Sequence, residues 1–452
     1  MVTMLQKVVS VSLALTLCVS CTQTDVAEVV PAGPLMAPSV RFQFAVYYLP
    51  TPSGDPLSAL ERALAAKPPR FKRVDAIEAS PRDPVVCACL RRDVREAYAP
   101  PRVEVLQRFG RGLSQEQVTA LQKSEQAFVM DFAHSNPGDW TVLRGAYDVA
   151  EEVARATGGL VWDEASREVF TPDEWHKRHI AIWTEPVPAV TDHIVIHIYQ
   201  TEVYGRAVTL GMSKLGPPDV VVEDIAWSQL RNVGYLMELV CQAMVEGSAV
   251  GKAGEFDVNL RAIKNQRARD RHLGSLLPNA PAMARLTLRK GERDEGDAEN
   301  RLVEIRFDRS PGSDVQARQV ALLTSLWGSS DEALYANNDD EALRAASQAA
   351  REHLPALRKL FSAGLPPGQM IVVKAPFATP QGGREYMWVA VDDWKGDRIT
   401  GLLTNEPFHI PSLHGGQKVE VREEEVFDYM RRYPDGRVEG NSTEAIIRRM
   451  QK

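Results

Sequence analysis

The sequence predicts an α+β protein, with helices packed on a sheet in its N-terminal half and a small antiparallel, β-rich domain at its C-terminal end. Two observations lead to this prediction. Between residues 41 and 247, short runs with strand alternation are interleaved with segments that have the three-and-four spacing of amphipathic helices. From Gly368 onward the apolar period changes to two, and turn residues separate the runs. The length of 452 residues accommodates two or three domains.

Composition and charge exclude several classes of protein. Apolar residues make up 44% of the chain and charged residues 25%, which is typical of a globular protein and not of a disordered one. The formal net charge of -7 argues against a nucleic-acid partner, because nucleic-acid-binding proteins carry basic surfaces. The 5 cysteines are too few for a scaffold held together by disulfides.

Residues 1–20 have the form of a secretory signal peptide. Lys7 precedes a short apolar run, Val8 to Leu17, which is too short to span a membrane. The segment then reads Leu17-Cys18-Val19-Ser20-Cys21, which resembles the lipid-attachment box of bacterial lipoproteins and implies lipidation of Cys21. Thr22 follows, where the resemblance would require an aspartate for retention at the inner membrane.

We therefore expect a protein of the cell envelope that is anchored to the membrane through an N-terminal lipid. The resemblance implies the outer membrane of a Gram-negative bacterium, with the protein facing the periplasm. The alternative is a cleaved signal without lipid, which leaves Cys21 as a free thiol. Residues 21–40 contain prolines and glycines without a helical period, so they are expected to form a flexible tether.

Residues 41–247 are predicted to form an α+β domain. The clearest helix runs from Trp140 to Thr157, because Asp139 can cap its start and Gly158 can end it. The other predicted elements are a strand over 42–48, a helix from Pro56, apolar runs at 85–90 and 127–133, a strand end at 160–163, strands at 180–183 and 193–199, and a helix over 225–245.

Two stretches of this domain, residues 156–163 and 208–219, resemble the family called domain of unknown function 4261. The resemblance covers roughly residues 42 to 245. It implies a shared fold and no established activity.

Residues 248–366 are predicted to be a charged linker and a helical connector. The charge runs at 267–271 and 289–299 mix both signs, which is typical of a solvated surface. Residues 302–308 alternate as one amphipathic strand. Two helices follow, over 315–326 and from Asp340 to Phe361.

Residues 367–452 are predicted to form the C-terminal β-rich domain, with strands at 370–375, 385–392, 399–403 and 419–421. Its motifs resemble, in order and spacing, the family called domain of unknown function 2314. They are Glu385-Tyr386-Met387-Trp388-Val389, Gly401-Leu402-Leu403-Thr404-Asn405-Glu406-Pro407, Gly416-Gln417-Lys418-Val419, Asp428-Tyr429, and Gly436 with Glu439-Gly440-Asn441-Ser442-Thr443. The resemblance implies no chemistry.

A polar pocket is predicted in this domain. Glu385, Trp388 and Asn405 lie on adjacent predicted strands, and a carboxylate, an indole and an amide can together line a ligand site. Thr443, from the last family motif, is the fourth candidate ligand-binding residue. The alternatives are that Trp388 fills the core, that Glu385 pairs with a cation at a strand edge, and that Asn405 forms a turn.

The histidines do not form a metal-binding pattern. His193 and His197 share one face of a strand but stand about 13 Å apart. His176 and His179 are one helical turn apart and lack a third ligand. We therefore expect no metal site, and we place the first pair on a solvent or interface face.

The remaining signals for chemistry are weak. No nucleophile elbow, phosphate loop, dinucleotide fingerprint or zinc-protease motif occurs, so no catalytic residue and no cofactor are assigned. Cys87 and Cys89 share a strand face, and pairing of either with Cys241 stays open.

The leading hypothesis is a non-catalytic, lipid-anchored envelope protein that binds a ligand or a protein partner. One alternative is an immunity-type protein that neutralises a toxin, and another is a hydrolase with a site near Glu385. Missing motifs lower the odds of an enzyme without excluding one.

Overall fold

The computed structural model describes residues 29–443 and 446, except for 50, 67–70, 96, 201–204, 226–228, 275, 277–279, 329–340, 367–368, 381, 405–406, 408–409, 411, 414–415 and 434–436. The predicted signal peptide, Cys21 and Asn405 lie outside the described residues. The predicted α+β class is confirmed, because helices pack on several mixed and antiparallel sheets. Among the helices that are described, none has both the length and the apolar character needed to cross a membrane.

The first sheet belongs to the N-terminal half of the chain. The strands of this half begin with the short β1 (Gly33–Pro34), and those of the sheet are β2 (Val40–Tyr47), β3 (Lys72–Arg73), β4 (Val85–Arg91), β5 (Gly110–Arg111), β6 (Ala127–His134), β7 (Leu160–Asp163) and β8 (Glu168–Phe170). They lie in the order β3-β4-β6-β2-β7-β8-β5. Because the aromatic β2 pairs with β6 on one side and β7 on the other, it forms the centre of the sheet.

Helices cover both faces of the first sheet. They are α1 (Pro56–Ala66), α2 (Val103–Phe109), α3 (Gln115–Leu121), α4 (Trp140–Thr157) and the short α5 (Pro172–Trp175). Apolar side chains of α1 and α4 pack against Phe42 and Phe44 in the main core. Those of α2 and α3 pack against Ala45 and Tyr47 on the opposite face. The alternation of β2 therefore separates two apolar layers.

Helix α4 has the bounds that the sequence predicts. The carboxylate of Asp139 accepts the backbone N–H of Thr141 at 3.1 Å, which caps the first turn. Gly158 adopts a left-handed conformation with φ of 73°, and its N–H bonds to the carbonyl of Ala154 at 2.8 Å. Both ends are thus fixed by local chemistry that the sequence displays.

A second sheet follows in the chain. Its strands are β9 (Val195–Gln200), β10 (Gly205–Leu210), β11 (Asp219–Ile225), β13 (Glu255–Asn259), β14 (Met283–Lys290) and β15 (Leu302–Arg306), and β12 (Ala249–Val250) pairs with β1 outside the sheet. The order is β13-β14-β15-β11-β10-β9. Helices α6 (Leu230–Val245), α7 (Gln266–Leu273) and α8 (Val315–Trp327) complete this part. One continuous apolar core, from Val30 to Trp327, joins the first and second sheets.

The stretch predicted as a charged linker contains three strands of the second sheet. Phe256 and Leu286 face the core, while Asp257 and Arg285 form a cross-strand ion pair at 2.6 Å on the outer face. The charge run at 267–271 lies on α7, whose Ala268 is buried, and the run at 289–299 lies mostly in the loop between β14 and β15. Helix α8, predicted as part of a connector, packs into the same core.

A π-helix at His176–Ala181 takes up the first two residues of the strand predicted at 180–183, and the other two are not in a strand. Trp175 and His179 are completely buried one helical turn apart, so this segment buries one face of a helix and not alternate residues of a strand. The short apolar run that suggested a strand is ambiguous between the two structures.

The segment predicted as a tether is attached to the fold in its second half. Gly33 and Pro34 pair with β12, and Val29 forms a β-bridge with Arg289 in β14. Val30 and Leu35 are buried in the main core. Their burial orders a stretch whose prolines and glycines suggested flexibility.

The C-terminal sheet is antiparallel throughout. Helix α9 (Glu341–Ser362) precedes the strands β16 (Met370–Ala378), β17 (Arg384–Lys395), β18 (Arg398–Leu403), β19 (Lys418–Arg422), β20 (Asp428–Arg432) and β21 (Val438–Gly440). Their order is β19-β18-β17-β16-β20-β21. Leu354 and Leu357 of α9 pack with Val373 and Val389 of the sheet, so this second predicted connector helix belongs to the C-terminal core.

Gly401 explains one of the C-terminal sequence motifs. A Cβ atom at this position in β18 would lie 2.0 Å from the carbonyl oxygen of Ala390 and 2.9 Å from a methyl group of Val389. Strand β17 approaches β18 this closely beside an irregularity in their pairing between Val391 and Asp393. Glycine is therefore required by the close approach of two backbones.

Candidate functional site

A cleft opens on the outer face of the first sheet, between the sheet and the segment 97–99. Its volume is about 470 Å³, within the range of sites that bind small molecules. The lining residues come from β2, from the end of β7 and from this segment; they are Gln43, Tyr47, Ala97, Tyr98, Ala99, Trp162 and Glu164.

The cleft forms because the helical layer covers only part of this face. Tyr47 packs with residues of α2 and α3. Gln43 lies four residues earlier on the same face of β2, outside that apolar layer. Gln43 is a polar residue of β2, and it stands opposite Asp131 of β6. Its carbonyl accepts the N–H of Glu164 at 3.2 Å, which brings Glu164 beside it.

The side-chain donors that line the cleft are directed to partners within the protein. The hydroxyl of Tyr47 donates to the carbonyl of Tyr98 at 3.0 Å. The amide nitrogen of Gln43 donates to Asp131 at 3.0 Å, and the indole of Trp162 donates to Glu164 at 2.6 Å. These bonds orient the walls, and they leave the side-chain oxygen of Gln43 and one carboxylate oxygen of Glu164 without a partner among the described residues.

Glu164 has an unusual electrostatic environment. Burial of the carboxylate raises its pKa, and the neighbouring Asp163 and Asp131 raise it further, while the bond from Trp162 and the charge of Arg167 act in the opposite direction. Within the described part of the chain, no ion pair joins Glu164 to a basic side chain. Burial also raises the pKa of Tyr47, which keeps its hydroxyl a donor.

A second polar cluster lies on the inner face of the same sheet. Asp163 and Lys214 form an ion pair with both side chains fully buried. The hydroxyl of Tyr147 bonds to Nδ1 of His193 at 3.0 Å, and His179 stacks on the Tyr147 ring with centroids 4.6 Å apart. Both sheets therefore contribute to one buried polar centre.

The two histidines of this cluster are held neutral. Burial lowers the pKa of His179 and His193 far below the usual value, and the positive charges of Lys214 and Arg178 lower it further. Neither ring nitrogen of His179 has a hydrogen-bond partner among the described residues. His193 is thus a core residue, where the sequence predicted a solvent or interface face.

The predicted C-terminal pocket is only partly assembled. Pairing of β16 with β17 is continuous, so Glu385 shares a face with the core residue Met387, and Trp388 projects from the opposite face. Glu385 and Trp388 therefore do not line one pocket. Asn405 lies outside the described residues.

Trp388 and Thr443 do belong to one face of this sheet. Lys374 stands opposite both Trp388 and Asp428, and its ammonium lies 5.5 Å from the centre of the indole. The buried carboxylate of Asp428 accepts the N–H and the hydroxyl of Thr443 at 2.8 and 2.7 Å. Thr443 thus anchors the segment after β21 to the sheet, which is a structural role.

The other cysteines and histidines that the structure describes form no further site. Cys87, Cys89 and Cys241 are free, and Cys241 lies in the main core. His176 bonds to Glu151 at 3.0 Å, and His197 stacks on Phe109. Across the described ranges, no group of three or more His, Cys, Asp or Glu residues is arranged to hold a metal ion.

The C-terminal segment matches a known family. Residues 340–452 match the family described as an uncharacterized protein conserved in bacteria, the domain of unknown function 2314. This confirms the resemblance of the C-terminal domain, and the match begins at α9, the helix that packs in the same core as the sheet. Searches of curated proteins and of solved structures gave no match.

The cleft was not predicted from the sequence. Its residues come from three segments that lie far apart in the chain, so no local motif unites them. A weak signal existed in Gln43, a polar residue between Phe42 and Phe44, and in Trp162-Asp163-Glu164, where an indole and two carboxylates are adjacent.

Proposed function

We propose that this protein is a membrane-tethered envelope lipoprotein that binds a small ligand in the cleft of its first sheet. The observation that carries the proposal is the cleft itself, with walls fixed by internal hydrogen bonds and a carboxylate among its lining residues. The resemblance of residues 17–21 to a lipid-attachment box supports the tether. The C-terminal domain is assigned no activity in this proposal.

Blocking the cleft tests the binding function. Ala99 is an exposed residue at the rim, so Ala99→Trp fills the opening without entering the core. Ala65→Trp, on an exposed position of α1 across the sheet, is the matched control. The thermal unfolding of the three proteins is followed with a panel of amino acids, amines, sugars and nucleotides.

We expect at least one compound to raise the melting temperature of the native protein and of Ala65→Trp, and not of Ala99→Trp. A ligand at 100 times its Kd stabilises the folded state by about 2.7 kcal/mol, which this assay detects. Binding that survives in Ala99→Trp, or no binding by any member of the panel, would contradict the proposal.

The tether is tested separately on the mature protein. Mass spectrometry of the N-terminal peptide from native membranes should find Cys21 with attached acyl chains. Cys21→Ala should release the protein from the membrane fraction, and Cys18→Ala should not. A mature chain without lipid would refute the anchor and leave the cleft proposal intact.

A further inference from the structure

We infer that the ligand of the cleft carries a positively charged nitrogen, either a guanidinium or an ammonium group. The inference rests on the proposed function and names the chemical class of ligand. It follows from which hydrogen-bonding groups of the cleft are already used within the protein and which remain.

Three side-chain donors of the cleft are used within the protein. Tyr47, Gln43 and Trp162 donate their side-chain hydrogens to Tyr98, Asp131 and Glu164 respectively. A ligand that mainly accepts hydrogen bonds, such as a phosphate or a carboxylate, therefore finds no charged donor among the lining side chains, and only the second amide hydrogen of Gln43 and the hydroxyl of Tyr98 as neutral ones. An anionic ligand would also face the charge of Glu164.

The acceptors of the cleft remain available. The indole bond occupies one oxygen of Glu164, and the second oxygen has no partner among the described residues. The side-chain oxygen of Gln43 also has none, since its amide nitrogen takes the bond to Asp131. Two acceptors on neighbouring positions suit the paired N–H groups of a guanidinium or the three hydrogens of an ammonium.

The basic side chains nearby have other partners. Arg167 donates to the carbonyls of Gly296 and Asp297, and Arg41 forms its ion pair with Asp131 at 3.4 Å. Arg91 lies 5.7 Å from the centre of the Tyr98 ring. Glu164 is consequently the charge that a cationic ligand would neutralise.

The aromatic walls suit the same class of ligand. Tyr47, Tyr98 and Trp162 surround the cleft, and cations are attracted to the faces of such rings. Tyr98 already holds the guanidinium of Arg91 in this way. A carboxylate beside aromatic rings provides both an ion pair and a cation–π contact for one positive group.

The test compares two ligands that differ in charge and little in shape. Nα-acetyl-L-arginine methyl ester is titrated against Nα-acetyl-L-citrulline methyl ester, which carries no charge, by calorimetry at pH 7 and at low and physiological ionic strength. We expect the arginine ester to bind the native protein at least 10-fold more tightly, which corresponds to a difference of about 1.4 kcal/mol in binding free energy. Salt should reduce this preference.

Glu164→Gln should abolish the preference for the cationic ester while the protein keeps its native melting temperature within a few degrees. Glu352→Gln, an exposed glutamate of α9, is the control and should keep the preference. Ala99→Trp should lose the binding of both esters.

The outcomes separate the two proposals. Equal affinity for the two esters, or a preference for an anionic compound of the panel, overturns the charge inference and leaves the cleft as a binding site. Charge-selective binding that persists in Glu164→Gln also overturns it. If binding of every compound is insensitive to Ala99→Trp, the proposed function itself fails.

Discussion

Asp163 and Glu164 are consecutive carboxylates at the end of β7, and they lie on opposite faces of the first sheet. Asp163 is completely buried, is paired with Lys214 and accepts the N–H of Ala165 at 3.0 Å. Glu164 faces an open cleft and bonds to the Trp162 indole. One peptide bond thus separates a structural carboxylate from one that is available to a ligand.

The difference shows how a single strand end serves two purposes. A buried charge must have its partner within the fold, since removing that partner leaves an uncompensated charge in a low dielectric. A charge at a cleft can obtain its partner from outside. The substitutions described below change either the buried polar cluster around Asp163 or the cleft at Glu164.

The largest effect is expected from Lys214→Met. The substitution leaves Asp163 buried without a cation and should lower the free energy of unfolding by about 3–5 kcal/mol. Urea unfolding measures the loss. Lys214→Met combined with Asp163→Asn should recover most of it, because no buried charge remains, and Lys252→Met on an exposed position should have little effect. If Lys214→Met alone were as stable as the native protein, the ion pair of Asp163 and Lys214 would not contribute to stability.

The buried histidines should make the fold sensitive to acid. Their pKa is lowered in the folded state, so the unfolded chain binds more protons below the ordinary value of 6.5. The contribution of these two histidines to the free energy of unfolding is therefore constant well above pH 6.5 and falls as the pH drops through that value. Each histidine that stays neutral in the fold lowers the free energy of unfolding by about 1.4 kcal/mol at pH 5.5.

His179→Phe isolates this contribution. The variant keeps an aromatic ring in the stack and should reduce the loss of stability between pH 7.5 and 5.5 by about 1.4 kcal/mol. His353→Gln, at an exposed position, should leave the loss unchanged. An identical pH dependence in His179→Phe and the native protein would contradict the assignment of a neutral buried histidine.

An effect of similar size is expected from Tyr147→Phe. The change removes the bond to His193 and leaves that ring without a partner, at a cost of about 1–2 kcal/mol. Chemical denaturation at pH 7.5 measures it. The ligand affinity of the cleft should not change, since Tyr147 lies on the other face; a change in affinity would show that the two faces are coupled.

The smallest effect on stability is expected from Glu164→Gln without ligand. Because the pKa of Glu164 is raised, its charge slightly disfavours the folded state at pH 7, and the variant should be equal or more stable by no more than about 0.5 kcal/mol. The gain should vanish at a pH below the ordinary carboxyl value of 4.5, where the folded and unfolded chains are both protonated. A large destabilisation would instead mean that Glu164 is structural.

Local signals predicted local structure well. Helix α4 was predicted with its cap and its terminal glycine, and the antiparallel C-terminal sheet was predicted from period two. In these cases the residues that determine the structure lie close together in the chain. The fold class followed from the sum of such signals.

Features that depend on tertiary contacts were missed. Strands β13 and β14 are charged on one face, and only their packing against the main core shows that they are not a linker. The π-helix at His176–Ala181 buries His179 against Tyr147, from a helix that precedes it in the chain. The cleft likewise joins Gln43 to Glu164 across strands that sequence reasoning had no means to pair.

The pairing of Gly33 and Pro34 with β12, and the bridge of Val29 to Arg289, shorten the free leader that the lipid proposal allows. From Cys21 to Val29 the chain has eight steps, and a fully extended chain of that length reaches about 28 Å. A lipid on Cys21 would therefore hold Val29, which bridges to Arg289 of β14, within the length of a 20-residue helix from the bilayer. The anchor would then limit how the first two sheets can turn toward the membrane, and with that the direction from which a ligand can arrive.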